Sequence, residues 1–141
     1  MLKKGLLIFL SVILLVSLVG CGSSDSNNNS IKIGDVELLS LDNVPDDNSG
    51  NWRICNTTTT TPTIDYALDY YNTVFSSDDE IHTIINFSLN TTTRVSYSLG
   101  SLYVTTFEYV DKEEHSANTL YSGLKLKDYI VNVDTGKVEE I

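Results

Sequence analysis

The segment TTTTTPTIDYALDYYNTVF, residues 57–75, constrains the fold most, because its hydrophobic spacing is that of an amphipathic helix. The apolar stripe consists of Ile64, Ala67, Leu68, Tyr71, Val74 and Phe75. Thr61 is placed to cap the first turn, and Pro62 suits the first helical position, where its missing N–H costs nothing. We therefore predict one main helix over about 62–75.

Most of the sequence on either side of this helix has the pattern of β-strands and turns. Residues 31–41 and 51–55 are predicted strands, and residues 81–89 alternate between polar and apolar side chains. Gly100 and Ser101 predict a two-residue type II′ hairpin in which Val95 lies opposite Thr106. Further predictions are a short helix within 111–123, closed by Gly123, and a final hairpin that turns at Asp134-Thr135-Gly136.

The expected fold is therefore α+β, with helix 62–75 packed on an antiparallel sheet of about four to six strands. A helix of that length is about 21 Å long and a nine-residue strand about 28 Å, so the helix can lie across the sheet. The outline is cystatin-like or NTF2-like, as an analogy of shape. The ending YIVNVDTGKVEEI, residues 129–141, resembles the terminal hairpin of PepSY-type domains of secreted bacterial proteins.

The first twenty residues have the order of a signal peptide, with Lys3 and Lys4 before an apolar run that extends from Leu6 to Val19. The run is shorter than the roughly 20 residues that a membrane-spanning helix needs, and no basic cluster follows it. A retained transmembrane span and an ordinary secretory leader with an incidental cysteine are the alternatives.

The end of this leader, Leu18-Val19-Gly20-Cys21, resembles the lipobox of bacterial lipoproteins. The resemblance implies cleavage between Gly20 and Cys21, a diacylglyceryl group on the Cys21 sulfur and, often, an acyl chain on the new amino terminus. Each buried methylene contributes about 0.8 kcal/mol, and two or three acyl chains together give a firm anchor. The lipid bilayer is then one partner, and the protein is a bacterial lipoprotein that faces the extracytoplasmic side of the membrane.

The expected organisation is a cleaved signal peptide (1–20), a lipidated cysteine with a flexible tether (21–30) and one domain (31–141). The tether GSSDSNNNS has no apolar residue to bury and spans roughly 15–18 Å, or about 30 Å when extended. No cofactor is expected besides the covalent lipid. A net charge of −10, more negative still without Lys3 and Lys4, repels the phosphate backbone, so no nucleic-acid partner is expected.

Few residues indicate chemistry. With Cys21 lipidated, Cys55 has no disulfide partner, and its apolar neighbours favour a small buried residue over a nucleophile. His82 and His115 are the only histidines, and a zinc site or hydrolase would need the fold to bring them together with acids such as Glu80. The turn at Asp46-Asp47-Asn48 lacks the ligand spacing of an EF-hand. No catalytic or metal-binding residue is therefore assigned.

The strongest candidate for a binding surface is an aromatic stripe formed by Tyr103, Phe107 and Tyr109, with Tyr66 and Tyr70 at its rim. Exposed, these rings would contact a protein, peptide or glycan partner. The alternative is that the first strands or residues 111–123 cover the stripe, and that Tyr66 and Tyr70 pack between helix and sheet. The leading hypothesis is a non-catalytic binding module, against a small hydrolase or metal-dependent enzyme, or a structural or immunity-type lipoprotein.

Overall fold

A computed structural model of the chain describes residues 30–110 and 116–141. In those ranges eight strands form one sheet whose spatial order follows the sequence. The strands are β1 (Ile31–Ile33), β2 (Val36–Asn43), β3 (Trp52–Thr57), β4 (Ile81–Asn86), β5 (Thr91–Ser98), β6 (Ser101–Glu108), β7 (Lys125–Asn132) and β8 (Val138–Glu140). The helical elements are a 3₁₀ turn (Thr63–Asp65), α1 (Ala67–Val74) and α2 (Ala117–Leu120). No helix in this part of the chain combines the length and apolar character needed to cross a bilayer.

The predicted fold class is wrong, because the sheet is larger and the helix shorter than the sequence indicated. Segment 31–41 makes two strands, since Gly34 has a φ of +58° and turns the chain back on itself. Tyr66, with a φ of −126°, separates the 3₁₀ turn from α1, so the helical segment is interrupted after its first turn. The α1 helix still ends at Val74, one residue before the predicted end. The cystatin-like or NTF2-like outline is therefore wrong too, because it required a single long helix.

The predicted antiparallel sheet is also wrong at one pair, because β3 and β4 are parallel. Parallel neighbours need a crossover connection, and residues 58–80 supply it with α1 lying over one face of the sheet. Both β1 and β6 contact α1, so the sheet curves around this helix. We call the covered side the α1 face and the other side the α2 face.

The hairpin between β5 and β6 turns one residue earlier than predicted. Its central residues are Leu99 and Gly100, with φ values of +50° and +83°, as a type I′ turn requires. Val95 therefore lies opposite Val104 instead of Thr106. The register differs by two residues, an even number, so the side chains keep the predicted faces.

The two faces carry separate hydrophobic clusters. On the α1 face the buried residues are Ile33, Val36, Leu38, Cys55, Tyr66, Ala67, Tyr70, Val74, Ile84, Val95, Leu102, Val104 and Val131. The smaller cluster consists of Val44, Ile54, Ile85 and Leu120, with Trp52, Tyr109, Ala117 and Tyr121 partly buried against it. The second cluster lies where α2 packs on the sheet.

Candidate functional site

The predicted aromatic stripe is partly covered. Phe107 and Tyr109 are half-buried, whereas Tyr103 keeps 39% of its surface exposed. The Phe107 ring packs against Tyr121 with the ring centroids 5.4 Å apart, and the Tyr109 ring meets the edge of Phe87 at 5.6 Å. Residues 116–122 therefore cover part of the stripe, as the alternative interpretation anticipated, and Tyr103 is its open member.

The covering segment is held by its own polar contacts. Ser116 caps α2 in a capping box with Thr119, and the Ala117 N–H donates to Asp46 Oδ1 at 2.9 Å. Tyr121, just after α2, packs on Trp52 with the ring centroids 5.6 Å apart, and its hydroxyl hydrogen-bonds Thr83. These contacts fix α2 over β3 and β4 and leave the part of the α2 face near the β5–β6 hairpin open.

Tyr103 lies in the middle of this open area. Across the strands it pairs with Ser96 on β5 and Ile130 on β7. Beside it is a hollow of about 340 Å³, lined by Ser101, Ile130, Asn132, Thr135, Lys137 and Glu139. One aromatic ring therefore stands next to a concave surface that combines apolar area with hydroxyl, amide and charged groups.

Arg94 adds an unusual charge to the same face. It lies opposite Thr83 and Thr105, and its guanidinium carbon is 6.0 Å from the centre of the Tyr121 ring, in cation–π contact. Its Nε is buried and has no hydrogen-bond partner, and none of the ion pairs among the described residues includes it. A half-buried guanidinium that pairs with no carboxylate of the described residues can donate hydrogen bonds to an anionic group.

Tyr66 and Tyr70 are buried in the α1-face core, with 5% and 0% of their surface exposed. They therefore form no rim to an exposed groove, and packing between helix and sheet accounts for both. The ring of Tyr70 meets His82 edge-on, with the centroids 5.4 Å apart.

A chain of buried polar groups crosses this core. The Tyr70 hydroxyl is 2.7 Å from His82 Nδ1, and His82 Nε2 is 2.9 Å from Glu80 Oε1. The Glu80 carboxylate also accepts the Ser76 N–H at 2.9 Å and lies 3.5 Å from the Arg53 guanidinium. A neutral His82 that carries its proton on Nε2 satisfies both contacts, since Tyr70 then donates to Nδ1.

Burial is the largest influence on the pKa values of His82, Glu80 and the nearby Cys55. It lowers the pKa of His82 below its ordinary value, although Glu80 opposes the shift. Burial would raise the pKa of Glu80, but the hydrogen bonds from His82 and Ser76 and the nearby charges outweigh it and leave the pKa lowered. Burial also raises the pKa of the Cys55 thiol to about 12. Cys55 and His82 are both fully buried, so these groups are positioned to stabilise the core and not to reach a substrate.

The residues considered for metal binding are used in other ways. Both ring nitrogens of His82 already have protein partners, and His115 lies outside the described residues. Asp47 accepts hydrogen bonds from Ser49 and from the Trp52 N–H, which closes the loop before β3. Within residues 30–110 and 116–141 no three metal-ligating side chains converge.

Sequence reasoning missed Arg94 and Tyr121. A signal for Arg94 was present, because it is the one charged residue in the strand TTTRVSYS and shares a face with Ser96. Tyr121 gave no such signal, since only the packing of α2 places it over β5. The lipobox residues 18–21 lie outside the described residues. Comparison with protein-family models, curated proteins and solved structures gives no match for this chain.

Proposed function

We propose that this protein is a bacterial lipoprotein, anchored through Cys21 on the extracytoplasmic side of the membrane, whose domain binds a ligand without catalysis. The sequence LVGC after an apolar leader supports the anchor. The polar tether that follows supports a domain held within about 30 Å of the bilayer. The burial of His82 favours a binding role over a hydrolase built on that histidine.

The open area around Tyr103 is the observation that carries the binding role. An exposed aromatic ring offers a large contact area at small entropic cost, and the adjacent hollow offers hydroxyl, amide and charged groups to orient a ligand. Three buried side-chain atoms of the described residues have no hydrogen-bond partner: Asn56 Oδ1, Thr92 Oγ1 and Arg94 Nε. All three residues lie on the α2 face, so unsatisfied polar groups concentrate on the side where we place the ligand. A peptide, glycan or protein segment with both apolar and polar groups fits this surface.

The anchor is tested by cell fractionation. Cys21→Ser should move the protein from the membrane fraction to the soluble extracytoplasmic fraction, because no thiol remains to carry the lipid. Cys55→Ala is the matched control, since it removes the other cysteine of the chain and should stay membrane-bound. Unchanged membrane partition of Cys21→Ser would refute the anchor.

The binding surface is tested by screening the full-length protein against cell-wall glycan fragments and peptide libraries. For any ligand found, Tyr103→Ser should weaken binding by tenfold or more, because an aromatic side chain at the centre of an interface contributes about 2 kcal/mol or more and tenfold corresponds to about 1.4 kcal/mol. Val138→Ser, at a residue 47% exposed on the α1 side of β8, is the control and should bind normally. Ligands that bind Tyr103→Ser as well as the wild type, or no ligand in either library, would count against this surface.

A further inference from the structure

Ile31, the first residue of β1, lies at one particular end of the sheet, and β1 runs outward from it to the turn at Gly34. A single row of paired residues crosses six strands there: Ile31, Leu38, Thr57, Asn86, Thr91 and Glu108. We call it the entry row, because Ile31 follows directly on the residues that lead back to Cys21. The Glu108 N–H extends the row by donating to the Leu124 carbonyl at 2.8 Å.

Exposed apolar side chains gather at this end. Phe87 and Leu89 lie in the turn just beyond the entry row and are 47% and 37% exposed. Leu124 is 65% exposed and Leu126 is 43% exposed, at the start of β7 beside Glu108. A hydrogen bond from the Tyr109 N–H to the Asn90 carbonyl joins the turn to the end of β6. We call Phe87, Leu89, Leu124 and Leu126 the entry-end patch.

The patch is not an electrostatic feature. Glu108 and Asp35 are exposed at the same end, and Lys125 and Lys127 are paired with Asp128 and Glu140. Attraction to anionic headgroups therefore cannot be its purpose. Leucine and phenylalanine gain instead from burial among acyl chains at the membrane interface, which needs no net charge.

The length and position of the tether select the bilayer as the occupant. If Cys21 is lipidated, nine residues separate it from Ile31, and they reach at most about 30 Å. The entry row is about 24 Å wide, since its six strands have five spacings of about 4.8 Å, and the step to Leu124 extends it to about 29 Å. The patch therefore lies along the same row as Ile31, where the tether joins the domain, and within the reach of the tether.

We infer that the entry-end patch rests in the membrane interface, so that the lipid on Cys21 and these four side chains hold the domain in one orientation. This inference depends on the proposed anchor. Tyr103 lies five residues along the strands from the entry row, or about 17 Å, and Leu99 lies eight residues away, or about 27 Å. The orientation thus holds the proposed ligand surface above the bilayer.

The test places an environment-sensitive fluorophore at either end of the sheet. Ser88→Cys labels the turn within the entry-end patch, and Leu99→Cys labels the distant hairpin, where Leu99 is 99% exposed. Buried Cys55 and lipidated Cys21 leave the introduced thiol as the reactive one. The full-length lipidated proteins are reconstituted in phosphatidylcholine vesicles that contain a headgroup-quencher lipid. We expect a blue-shifted emission at position 88 and at least twofold stronger quenching there than at position 99.

Variants and failures separate the patch from the anchor. Phe87→Ser with Leu124→Ser should abolish the difference in quenching, while Val138→Ser, at the far edge strand, should preserve it. Vesicle-bound protein with equal quenching at both positions, or stronger quenching at position 99, overturns the inference and leaves the anchor intact. A patch that serves a protein partner would give this same result, because the vesicles contain only lipid. Protein that fails to sediment with the vesicles overturns both the anchor and the inference.

Discussion

The two faces of the sheet differ in how completely they are covered. On the α1 face, an eight-residue helix and the curvature of the sheet enclose a core of thirteen buried residues. On the α2 face, a four-residue helix covers a cluster of four buried residues, and no other helix of the described residues covers the rest of the face. The α1 face therefore supplies most of the hydrophobic stabilisation, whereas the α2 face has surface left for a ligand.

Polar groups follow the same division. The histidine and glutamate buried on the α1 side both have partners, in the chain that runs from Tyr70 to Arg53. The buried side-chain atoms without partners, in the part of the chain that the structure describes, are on the α2 face. Leaving such an atom unsatisfied costs roughly 1–3 kcal/mol in a dry core, so the α2 face is the less completely satisfied of the two.

The largest expected effect comes from truncating one buried isoleucine on each face to alanine. Ile84 and Ile85 are consecutive, both fully buried and point to opposite faces. Ile84→Ala should lower the free energy of unfolding by about 3–5 kcal/mol and Ile85→Ala by about 2–3 kcal/mol, because the short α2 segment can shift to fill its cavity. Urea denaturation measures both, and equal costs would show that the two cores are equally rigid.

The next effect concerns two adjacent tyrosines, Tyr70 and Tyr71, whose hydroxyls lie in different surroundings. Tyr70→Phe leaves His82 Nδ1 buried without a partner and should cost about 1–3 kcal/mol. Tyr71→Phe removes an exposed hydrogen bond to Asp78, 2.5 Å long, and should cost at most about 0.5 kcal/mol. Thermal and urea unfolding of the two variants give the comparison. Similar losses would mean that the buried chain contributes no more than a surface contact.

A smaller effect is a pH dependence that belongs to the α1 face. The pKa of His82 is lowered from its ordinary 6.5, so the unfolded chain takes up the proton first as the pH falls below 6.5. Native stability should then decline from pH 6.5 down to the folded-state pKa, by about 1.4 kcal/mol for each unit of difference. The lowered pKa of Glu80 adds a further loss below its ordinary value of 4.5.

His82→Gln isolates the histidine part of this dependence. The variant has no group that titrates at position 82, so its unfolding free energy should change less between pH 7 and pH 5 than that of the wild type. The comparison uses the slopes with pH and not the absolute stabilities, because the substitution also changes the core. Parallel curves for the two proteins would contradict the assignment.

Alternation and turn residues predicted the faces correctly but not the topology. Gly136 adopts the predicted left-handed conformation, with a φ of +73°, and the hairpin of β7 and β8 forms around it. No pattern within β3 or β4 indicates that the two strands are parallel. Their pairing depends on the crossover through α1, which brings the chain back to the same end of the sheet. Gly34 was read as part of a strand, although a glycine inside an alternating segment also signals a turn.

The candidate site was predicted in part, for a similar reason. The exposure of Tyr103 follows from its alternation with Leu102 and Val104, which are fully buried on the opposite face. The helical stripe pointed to Tyr71, yet the fully buried side chain is Tyr70. Tyr70 is the buried tyrosine because its hydroxyl hydrogen-bonds His82, which lies twelve residues further along the chain. Spacing within one element cannot show such a partner.

The smallest effect tests how tightly α2 covers its face. Ser116→Ala removes the cap of α2 and should cost about 0.5–1 kcal/mol. Trp52 is the single tryptophan and packs on Tyr121, so loosening α2 should shift its emission to the red while the α1-face core stays folded. Ser122→Ala, which removes an exposed bond to the Thr119 carbonyl, is the control and should leave the emission unchanged. If Ser116→Ala lowers global stability without changing Trp52, α2 unfolds only together with the main core, and the two faces behave as one unit.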